Sequence, residues 1–511
     1  MPLSSSQQNT MTLAAVCLAS LMFGLEISSV PVILPTLEKV LHGDFKDLQW
    51  IMNAYTIACT TVLMATGTLA DRYGRKRLFL ASVALFGLTS LACGWAGNVE
   101  VLIAARFLQG MAGGAMLICQ VAVLSQQFQD GAARGRAFGA WGIVFGIGLG
   151  FGPVIGAAIV ALSGWQWVFL VQGPLALAAL SLVMAGVRES RDPQRRKLDV
   201  AGIATLSLAV FCLAWFITQG PAPGFADGRT LASLALSLLG FTVFVVIERR
   251  QPDPMFDFAV LRIRRFSGAL LGSAGMNFSF WPFMIYLPLY VQNCLGYSSL
   301  GTGLTLLAYT LPTLLVPPLG ERLALRYRPD AVIPAGLLAI GLGLLLMLWG
   351  SRAADASWLT ILPGCLLAGS GLGLTNTPVT NTTTGAVDSD RAGMASGIDI
   401  SARMISLAIN IALMGYLLVE GILAALRARL PAMADDGALR LAAEGLSAGK
   451  SGADLGLALP AGVARAALAH GFGAVMLYGG LAACACAAAS WLVFGAGPAR
   501  RAAAAAPGGR L

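Results

Sequence analysis

Long apolar segments dominate this chain, and they constrain its fold more than any other feature of the sequence. Apolar residues make up 57% of the 511 positions and charged residues 12%, whereas soluble domains carry about 25% charged residues. An apolar run of about eighteen residues or more is long enough to cross a lipid bilayer as a helix. The sequence therefore predicts an all-α polytopic membrane protein.

Apolar windows separated by polar loops predict fourteen transmembrane helices of about 20 residues each. Numbered in chain order, these spans lie at 11–37, 49–70, 77–96, 99–124, 137–162, 165–187, 199–218, 230–247, 267–291, 301–320, 331–350, 358–380, 392–420 and 470–495. Residues 421–469 are expected to form a long extracytoplasmic loop, and residues 496–511 a disordered cytoplasmic tail.

The positive charge is distributed among the loops in a way that predicts orientation. Of the 34 Lys and Arg residues, 23 lie on the side of the N-terminus and nine on the opposite side. Because cytoplasmic loops are enriched in Lys and Arg, both termini are predicted to be cytoplasmic. The same distribution explains the net charge of +9 without a nucleic-acid partner. Two histidines and nine scattered cysteines predict neither a metal site nor a cofactor.

Four charged residues lie well inside predicted spans, where a charge is costly and therefore indicates function. Glu26 lies about 22 Å from the cytoplasmic start of span 1, and Arg106 about 10 Å from the external start of span 4. Both positions fall in the outer half of a core about 30 Å thick, so the two charges are predicted to pair beside an aqueous cavity. Proton uptake by Glu26 would then release Arg106. The alternative is a static ion pair that fixes helix packing.

The other two embedded charges, Asp399 and Arg403, lie four residues apart in span 13. This spacing places them on one helix face, where they can pair. Asp399 is a second candidate for binding a proton or a cation, and a purely structural pair is the competing interpretation. The predicted proton-coupling residues are thus Glu26, Arg106, Asp399 and Arg403.

The loop after span 2 combines glycines with charges of both signs. Its candidate residues are Gly67, Asp71, Arg72, Gly74, Arg75 and Lys76. Snorkelling would explain a basic cluster alone, but it does not explain Asp71. A carboxylate at a helix terminus can bind the N-terminal end of another helix or a nearby arginine. The loop is therefore predicted to be a conformational latch that locks one packing arrangement.

Span 5 is rich in glycine, and aromatic residues recur in spans 5 and 9. The glycines include Gly142, Gly146, Gly148, Gly150, Gly152 and Gly156, with Pro153 among them. Small residues four apart let helices approach closely, and a Gly-Pro pair bends a helix, which favours a flexing interface over simple dimerisation. The aromatic candidates are Trp141, Phe145, Trp281, Tyr286 and Tyr290, which either pack or line a cavity for a flat lipophilic ligand.

Together these residues resemble the major facilitator superfamily and, within it, the fourteen-span drug:proton antiporters. The sequence from Gly67 to Lys76 resembles the signature between helices 2 and 3, Arg106 with Gln109 and Gly110 resembles the helix-4 arginine motif, and Gly148, Gly152, Pro153 and Gly156 resemble the helix-5 exporter motif. The segment from Glu26 to Pro35 is similar to the acidic helix-1 motif of the fourteen-span group. These and further matches cover most of residues 11–420.

The resemblance implies a major facilitator fold of two six-helix bundles, at 11–187 and 266–495, with two additional helices within 188–265. The bundles would rock about a central cavity, and Asp71 would dock near the start of span 13 in the outward-open state. A second-half echo of the latch, from Gly320 to Arg328, is expected to lack an acid that matches Asp71, so the latch would be one-sided.

Several positions depart from the pattern of the resembled family. Glu26 stands where aspartate is usual and keeps the carboxylate. Pro31 stands where asparagine is usual, and Gln172-Gly173 stands where Asn-Val is usual, so substrate contacts at both places are expected to differ. Asp399 stands where asparagine is common, and its negative charge favours a cationic substrate.

The predicted function is therefore export of lipophilic or cationic organic compounds across a bacterial inner membrane, driven by entering protons and not by enzyme chemistry. The expected partners are a small-molecule substrate, protons, membrane lipid and a periplasmic adaptor protein. The rival interpretations are an exporter of one specific metabolite, such as a siderophore, antibiotic, amino acid or fatty acid, and a non-transporting membrane sensor or scaffold. The sequence carries no soluble output segment that favours the last of these.

Overall fold

A computed structural model shows how these segments fold. It describes residues 4–41, 45–129, 131–191, 199–220, 227–251, 256–278, 280–297, 299–353, 355–388, 391–430, 436–447 and 460–495. Within these ranges all regular structure is helical, without strands, which agrees with the predicted fold class. The tail expected at 496–511 lies outside the described residues.

Eighteen α-helices are assigned within the described ranges. They are α1 Ser5–Leu41, α2 Phe45–Tyr73, α3 Arg75–Gly94, α4 Val99–Gln127, α5 Gly131–Ser163, α6 Gln166–Leu170, α7 Gln172–Gly186, α8 Val200–Gln219, α9 Gly228–Arg250, α10 Arg264–Met276, α11 Phe280–Asn293, α12 Ser299–Leu315, α13 Pro317–Tyr327, α14 Pro329–Ser351, α15 Trp358–Gly385, α16 Ala392–Arg429, α17 Asp436–Ser447 and α18 Ala461–Gly495. A short 3-10 helix at Phe258–Arg262 precedes α10.

Fewer helices than the predicted fourteen have the length and apolarity of a membrane span. Within the described ranges nine qualify, or ten if α5 is counted across a bend of 53° between residues 131–152 and 154–163. Two predicted spans that do not qualify are each built from two shorter helices, 267–291 from α10 and α11 and 301–320 from α12 and α13, whereas α6 and α7 together qualify as one span. The membrane class therefore stands, while the number fourteen stays a prediction.

The chain divides into two compact units. Unit 1 comprises Met1–Leu270, Glu321–Arg326 and Thr377–Ile405, and unit 2 comprises Leu271–Gly320, Tyr327–Asn376 and Ser406–Leu511. The predicted extra helices, α8 and α9, belong to unit 1. There α8 packs on α2: the Trp50 and Trp215 rings lie 4.9 Å apart, and the Ser207 hydroxyl donates to the Thr61 carbonyl at 3.2 Å.

Glycines of unit 1 allow its central helices to touch backbone to backbone. A Cβ atom at Gly148 of α5 would lie 3.1 Å from the Cα of Gly24 on α1. Two hydrogen bonds also join α1 to α5: the Ser28 hydroxyl donates to the Gly148 carbonyl at 2.9 Å, and the Ser29 hydroxyl donates to the Gly152 carbonyl at 2.8 Å. The predicted exporter motif thus forms a close α1–α5 interface in which small residues let polar groups bridge the helices.

Glycines also allow close contacts between helices in unit 2, and some helices of this unit are longer than the predicted spans. On α14, a Cβ atom at Gly341 would lie 2.8 Å from the Gly480 carbonyl oxygen of α18. The expected loop at 421–469 is partly helical, because α16 continues to Arg429, α17 follows, and α18 begins at Ala461. Helix α17 buries Leu439 and Leu446 along one face, as an amphipathic helix does.

The α2–α4 contact of unit 1 is predicted to depend on Gly110. A Cβ atom at this position would overlap the carbonyl oxygen of Tyr55. Gly110→Ala should therefore lower the free energy of unfolding by about 1–3 kcal/mol, measured by thermal unfolding of the purified protein. The matched control is Gly228→Ala in α9, where a Cβ atom would meet nothing within 4 Å. Equal stability of the two variants would contradict the close approach.

Candidate functional site

The predicted pair between α1 and α4 is present and fully buried. Arg106 Nη1 lies 2.6 Å from Glu26 Oε1, and both side chains have 0% of their surface exposed. An ionised pair at such depth needs further polar contacts, because mutual attraction alone does not repay the loss of hydration. The surrounding residues supply these contacts unequally to the two partners.

Arg106 has several partners besides the carboxylate. Its Nη1 donates to Gln109 Oε1 at 2.6 Å, and its Nε donates to the Ile51 carbonyl at 3.2 Å. The guanidinium carbon also lies 4.2 Å from the centroid of the Tyr55 ring and 5.9 Å from that of Phe169. Aromatic faces stabilise a desolvated cation. Arg106 is therefore held as a cation by groups other than Glu26.

Glu26 has fewer further partners, which are the amides of Gln172 and Gln109. Its second oxygen, Oε2, accepts from Gln172 Nε2 at 3.3 Å. Three buried polar atoms of this cluster, Arg106 Nη2, Gln172 Oε1 and the Tyr55 hydroxyl oxygen, make no hydrogen bond within the described residues. Buried polar groups are normally satisfied, so these atoms retain hydrogen-bonding capacity beside the pair.

A second buried charge cluster lies on α15 and α16. Arg403 Nη2 lies 3.2 Å from Asp399 Oδ2, which confirms the predicted pairing along α16. The Thr380 hydroxyl donates to the same carboxylate oxygen at 2.8 Å and also contacts Arg403. Asp399 is therefore held by partners from two helices. All of these residues belong to unit 1.

The predicted latch residue Asp71 binds the beginning of α16. The backbone N–H groups of Gly393 and Met394 donate to its two carboxylate oxygens at 3.0 and 2.9 Å. Arg75 Nη2 lies 2.7 Å from Asp71 Oδ1. A carboxylate at a helix N-terminus satisfies free N–H groups and complements the helix dipole. The two expected partners of Asp71, a helix end and an arginine, are thus both present.

The remaining latch residues shape the turn that leads into α3. Gly74 has φ of +115°, and a Cβ atom there would lie 2.6 Å from Glu189 Oε1, so glycine is required on both conformational and steric grounds. Lys76 Nζ donates to the Met184 carbonyl at 2.8 Å. Arg72 stacks on Tyr73. Gly67 contacts the carbonyl of Gly393 closely, which brings α2 against the start of α16.

A further buried cluster is centred on Glu321. The sequence prediction of a one-sided latch did not include this acid. Glu321 on α13 is 2% exposed, and its Oε2 accepts from Asn381 Nδ2 at 2.9 Å. Arg134 at the start of α5 donates to Asn381 Oδ1 and to the Thr384 hydroxyl, the latter at 2.7 Å. Asn381 thereby bridges an acid and an arginine.

Glu321 is the acid that the second-half echo was expected to lack. It directly precedes Arg322, as Asp71 precedes Arg72, and this dipeptide is the signal that identifies the match. Burial raises the pKa of Glu321 to about 7, against the opposing effects of Asn381 and Arg134.

The aromatic residues proposed to line a cavity have different environments. Trp141 is 1% exposed, packs in the core of unit 1, and donates from Nε1 to Gln120 at 3.2 Å. Phe145 stacks on Trp141 with 5.7 Å between ring centroids. In unit 2, Tyr290 stacks on Phe472 at 4.3 Å, and Tyr286 is buried near Gly415. The side chains of Trp281 and Pro153 lie outside the described part of the structure.

No arrangement typical of a metal site occurs in the described ranges. Within them, no group of three or more His, Cys, Asp or Glu side chains is close enough to hold an ion. The acidic residues are paired instead with arginines, amides and hydroxyl groups. Such groups can exchange protons or bind a cation, but they contain no nucleophile and base in the arrangement of an active site.

Apolar helices with a buried acid–arginine pair and a carboxylate on a helix end are features of a multi-pass membrane transporter. The sequence profile of the Major Facilitator Superfamily matches residues 16–411, and the chain belongs to this family. The similarity therefore includes Glu26, Asp71, Arg106 and Asp399.

Relatives and solved structures agree with this assignment. The chain is 33% identical over 420 residues to the multidrug resistance protein Stp of Mycobacterium tuberculosis, covering 82% of this chain and 78% of that protein. It is 32% identical to the tetracenomycin C resistance and export protein of Streptomyces glaucescens, covering 80% and 76%. The human organic anion transporter MFSD10 superposes with a TM-score of 0.58 at 16% identity, covering 86% and 98%, and supports the fold alone.

The pKa of Glu321 predicts a pH-dependent stability. A hydrated Glu321 would titrate near 4.5, whereas the buried one titrates near 7, so the folded protein binds the proton more tightly. The cluster is then most stable below about pH 4.5 and loses stability as the pH rises to about 7. Glu321→Gln should remove this loss and raise the free energy of unfolding by up to about 3 kcal/mol above pH 7.

Thermal unfolding at pH 5 and pH 8 measures this effect. The variant should gain stability over the native protein at pH 8 and little at pH 5. Glu444→Gln is the control, because Glu444 is 52% exposed and is expected to change stability little at either pH. A difference between Glu321→Gln and the native protein that is equal at both pH values would contradict the assignment.

Proposed function

We propose that this transporter is a proton-coupled exporter of lipophilic or cationic organic compounds. Several relatives are named for drug or antibiotic resistance, among them proteins of Mycobacterium and Streptomyces. Their names support export as the direction of transport. In the proposed topology the chain crosses a bacterial inner membrane fourteen times, with both termini in the cytoplasm, as the distribution of Lys and Arg favours.

The observation that carries the proposal is that Arg106 has more stabilising contacts than its partner Glu26. Arg106 keeps Gln109, the Ile51 carbonyl and the Tyr55 ring when the carboxylate is neutralised. Breaking a buried pair is strongly unfavourable when it leaves one charge unsupported. Here the remaining charge is supported, so Glu26 can accept and release a proton without disrupting its neighbours.

Competition between substrate and proton would couple the two fluxes. In this mechanism a substrate that binds near Glu26 favours the ionised carboxylate, and protonation from outside favours substrate release. Each charge that enters across 100 mV supplies about 2.3 kcal/mol, and each pH unit about 1.4 kcal/mol. Two contacts are proposed to hold the predicted cytoplasmic side closed in one state of the cycle. They are the contact of Asp71 with the start of α16 and the contact of Glu321 with Asn381.

A second candidate function is export of one specific natural product. The relative from Streptomyces glaucescens is named for a single compound, tetracenomycin C. A dedicated exporter would show a narrow substrate range, whereas a multidrug exporter would accept several unrelated compounds. Comparing efflux of cationic, neutral and anionic compounds separates the two functions.

The proton role of Glu26 is tested by Glu26→Gln. The amide keeps the size of the side chain but does not titrate, so efflux of ethidium from proteoliposomes driven by a pH gradient should be lost. Glu100→Gln is the control, since Glu100 is an exposed acid at the start of α4. Efflux by Glu26→Gln at the native rate would remove this residue from the mechanism.

Asp399 is expected to favour cationic substrates by its charge. Asp399→Asn retains the shape and one acceptor for the Thr380 hydroxyl, while it removes the negative charge next to Arg403. Efflux of ethidium should fall about tenfold or more relative to efflux of a neutral compound. Equal loss for both compounds would indicate a structural role for the Asp399–Arg403 pair instead.

A further inference from the structure

The carboxylate of Glu26 is held on two sides by different helices. Arg106 on α4 binds Oε1 at 2.6 Å, and Gln172 on α7 binds Oε2 at 3.3 Å. Gln172 is the first residue of α7, immediately after the break that separates α7 from the five-residue helix α6. Its side chain is buried, with 1% of the residue exposed.

A second contact determines which end of the Gln172 amide faces Glu26. Gln172 Nε2 also donates to the carbonyl oxygen of Met22, at 3.3 Å. Met22 precedes Glu26 by one helical turn, so both acceptors lie on the same side of α1. A carbonyl oxygen can only accept. The amide nitrogen, with its two N–H donors, must therefore point toward α1, and the amide oxygen must point away.

This orientation gives Gln172 a preference between the two protonation states of Glu26. An N–H donor stabilises a carboxylate oxygen and offers no acceptor to the O–H of the carboxylic acid. The amide oxygen that would accept such a proton is directed elsewhere and makes no hydrogen bond within the described residues. Gln172 thus favours the ionised form.

The other groups facing Glu26 come from the remaining neighbouring helices. Arg106 of α4 favours the ionised carboxylate by its charge, and Gln109 of α4 favours it by a side-chain hydrogen bond while also binding Arg106. The titratable groups Tyr55 of α2 and Cys93 of α3 also interact electrostatically with Glu26. On α5, Gly148 and Phe145 approach α1 through backbone atoms. Arg106 has partners of its own, whereas Gln172 binds the second carboxylate oxygen directly.

We propose that Gln172 is a positioning residue of the proton site, which holds the second oxygen of Glu26 and sets the pH range in which this carboxylate exchanges its proton. The inference rests on the proposed function of Glu26. Since the same amide is bound to the α1 backbone through Met22, Gln172 also couples the position of α7 to the state of Glu26.

The test compares Gln172→Met with the native protein in proteoliposomes. Methionine keeps the length and volume of the side chain but lacks the amide donor. Without that donor the protonated form of Glu26 is favoured, so the pH of half-maximal ethidium efflux should move upward by about one unit. Gln172→Glu, which places a second acid beside Glu26, should move it further in the same direction.

Gln120→Met is the matched control. Gln120 is an equally buried glutamine of unit 1 that accepts from Trp141. This control should change the efflux rate or the stability without changing the pH of half-maximal efflux. An unchanged pH profile in Gln172→Met would overturn the inference and would indicate that Gln172 only joins α7 to α1.

A direct measurement separates this inference from the proposed function. Infrared titration of the purified protein follows the carboxyl band that Glu26→Gln removes, and it requires no transport. A higher titration midpoint for this band in Gln172→Met supports the positioning role even if transport is slow. A native protein without efflux driven by a pH gradient would refute the proposed function, while an unmoved band would refute the role of Gln172.

Discussion

The cost of burying charge in an apolar environment is the constraint on which the rest of this structure depends. A lone carboxylate or guanidinium at the depth of Glu26 or Arg106 would be strongly unfavourable. Both side chains are nevertheless completely buried, 2.6 Å apart. The surrounding helices reduce this cost for Arg106 in particular, through Gln109, a backbone carbonyl and an aromatic face. An arginine supported in this way would allow its acidic partner to change charge, as the proposed proton coupling requires.

The buried charges are concentrated in one part of the molecule. Among the residues that the structure describes, every buried acidic or basic side chain belongs to unit 1, while the buried polar side chains of unit 2 are neutral. Glycines of unit 1 bring α1 against α5 and α2 against α4, so little space separates these charges from neighbouring backbone. A change in the charge of one of these side chains would therefore displace the closely packed helices around it, since tightly packed interiors transmit small displacements.

The sequence was sufficient to predict the charged pairs that depend on depth in a helix or on local spacing. The pairing of Glu26 with Arg106 followed from counting residues into two helices, and the Asp399–Arg403 pair followed from a separation of four. The role of Glu321 was missed, because the second-half echo was interpreted as having no acid that matches Asp71, although Glu321-Arg322 repeats the dipeptide Asp71-Arg72. Gln172 was also interpreted as a substrate contact, since no spacing rule shows that a residue at the start of α7 reaches α1.

The sequence by itself determined that the chain is helical and that it belongs in a membrane, and it predicted which charges are embedded at which depth. Hydropathy and helical rise act along the chain, so these properties can be derived from the order of residues alone. Only the tertiary structure decided which way each helix faces and which side chains meet. It placed Trp141 in a packed core, directed the Gln172 amide toward Glu26, and joined Arg134 to Glu321 through Asn381. Rotation about a helix axis and the choice of neighbour depend on the packing of many distant segments together, which no local pattern contains.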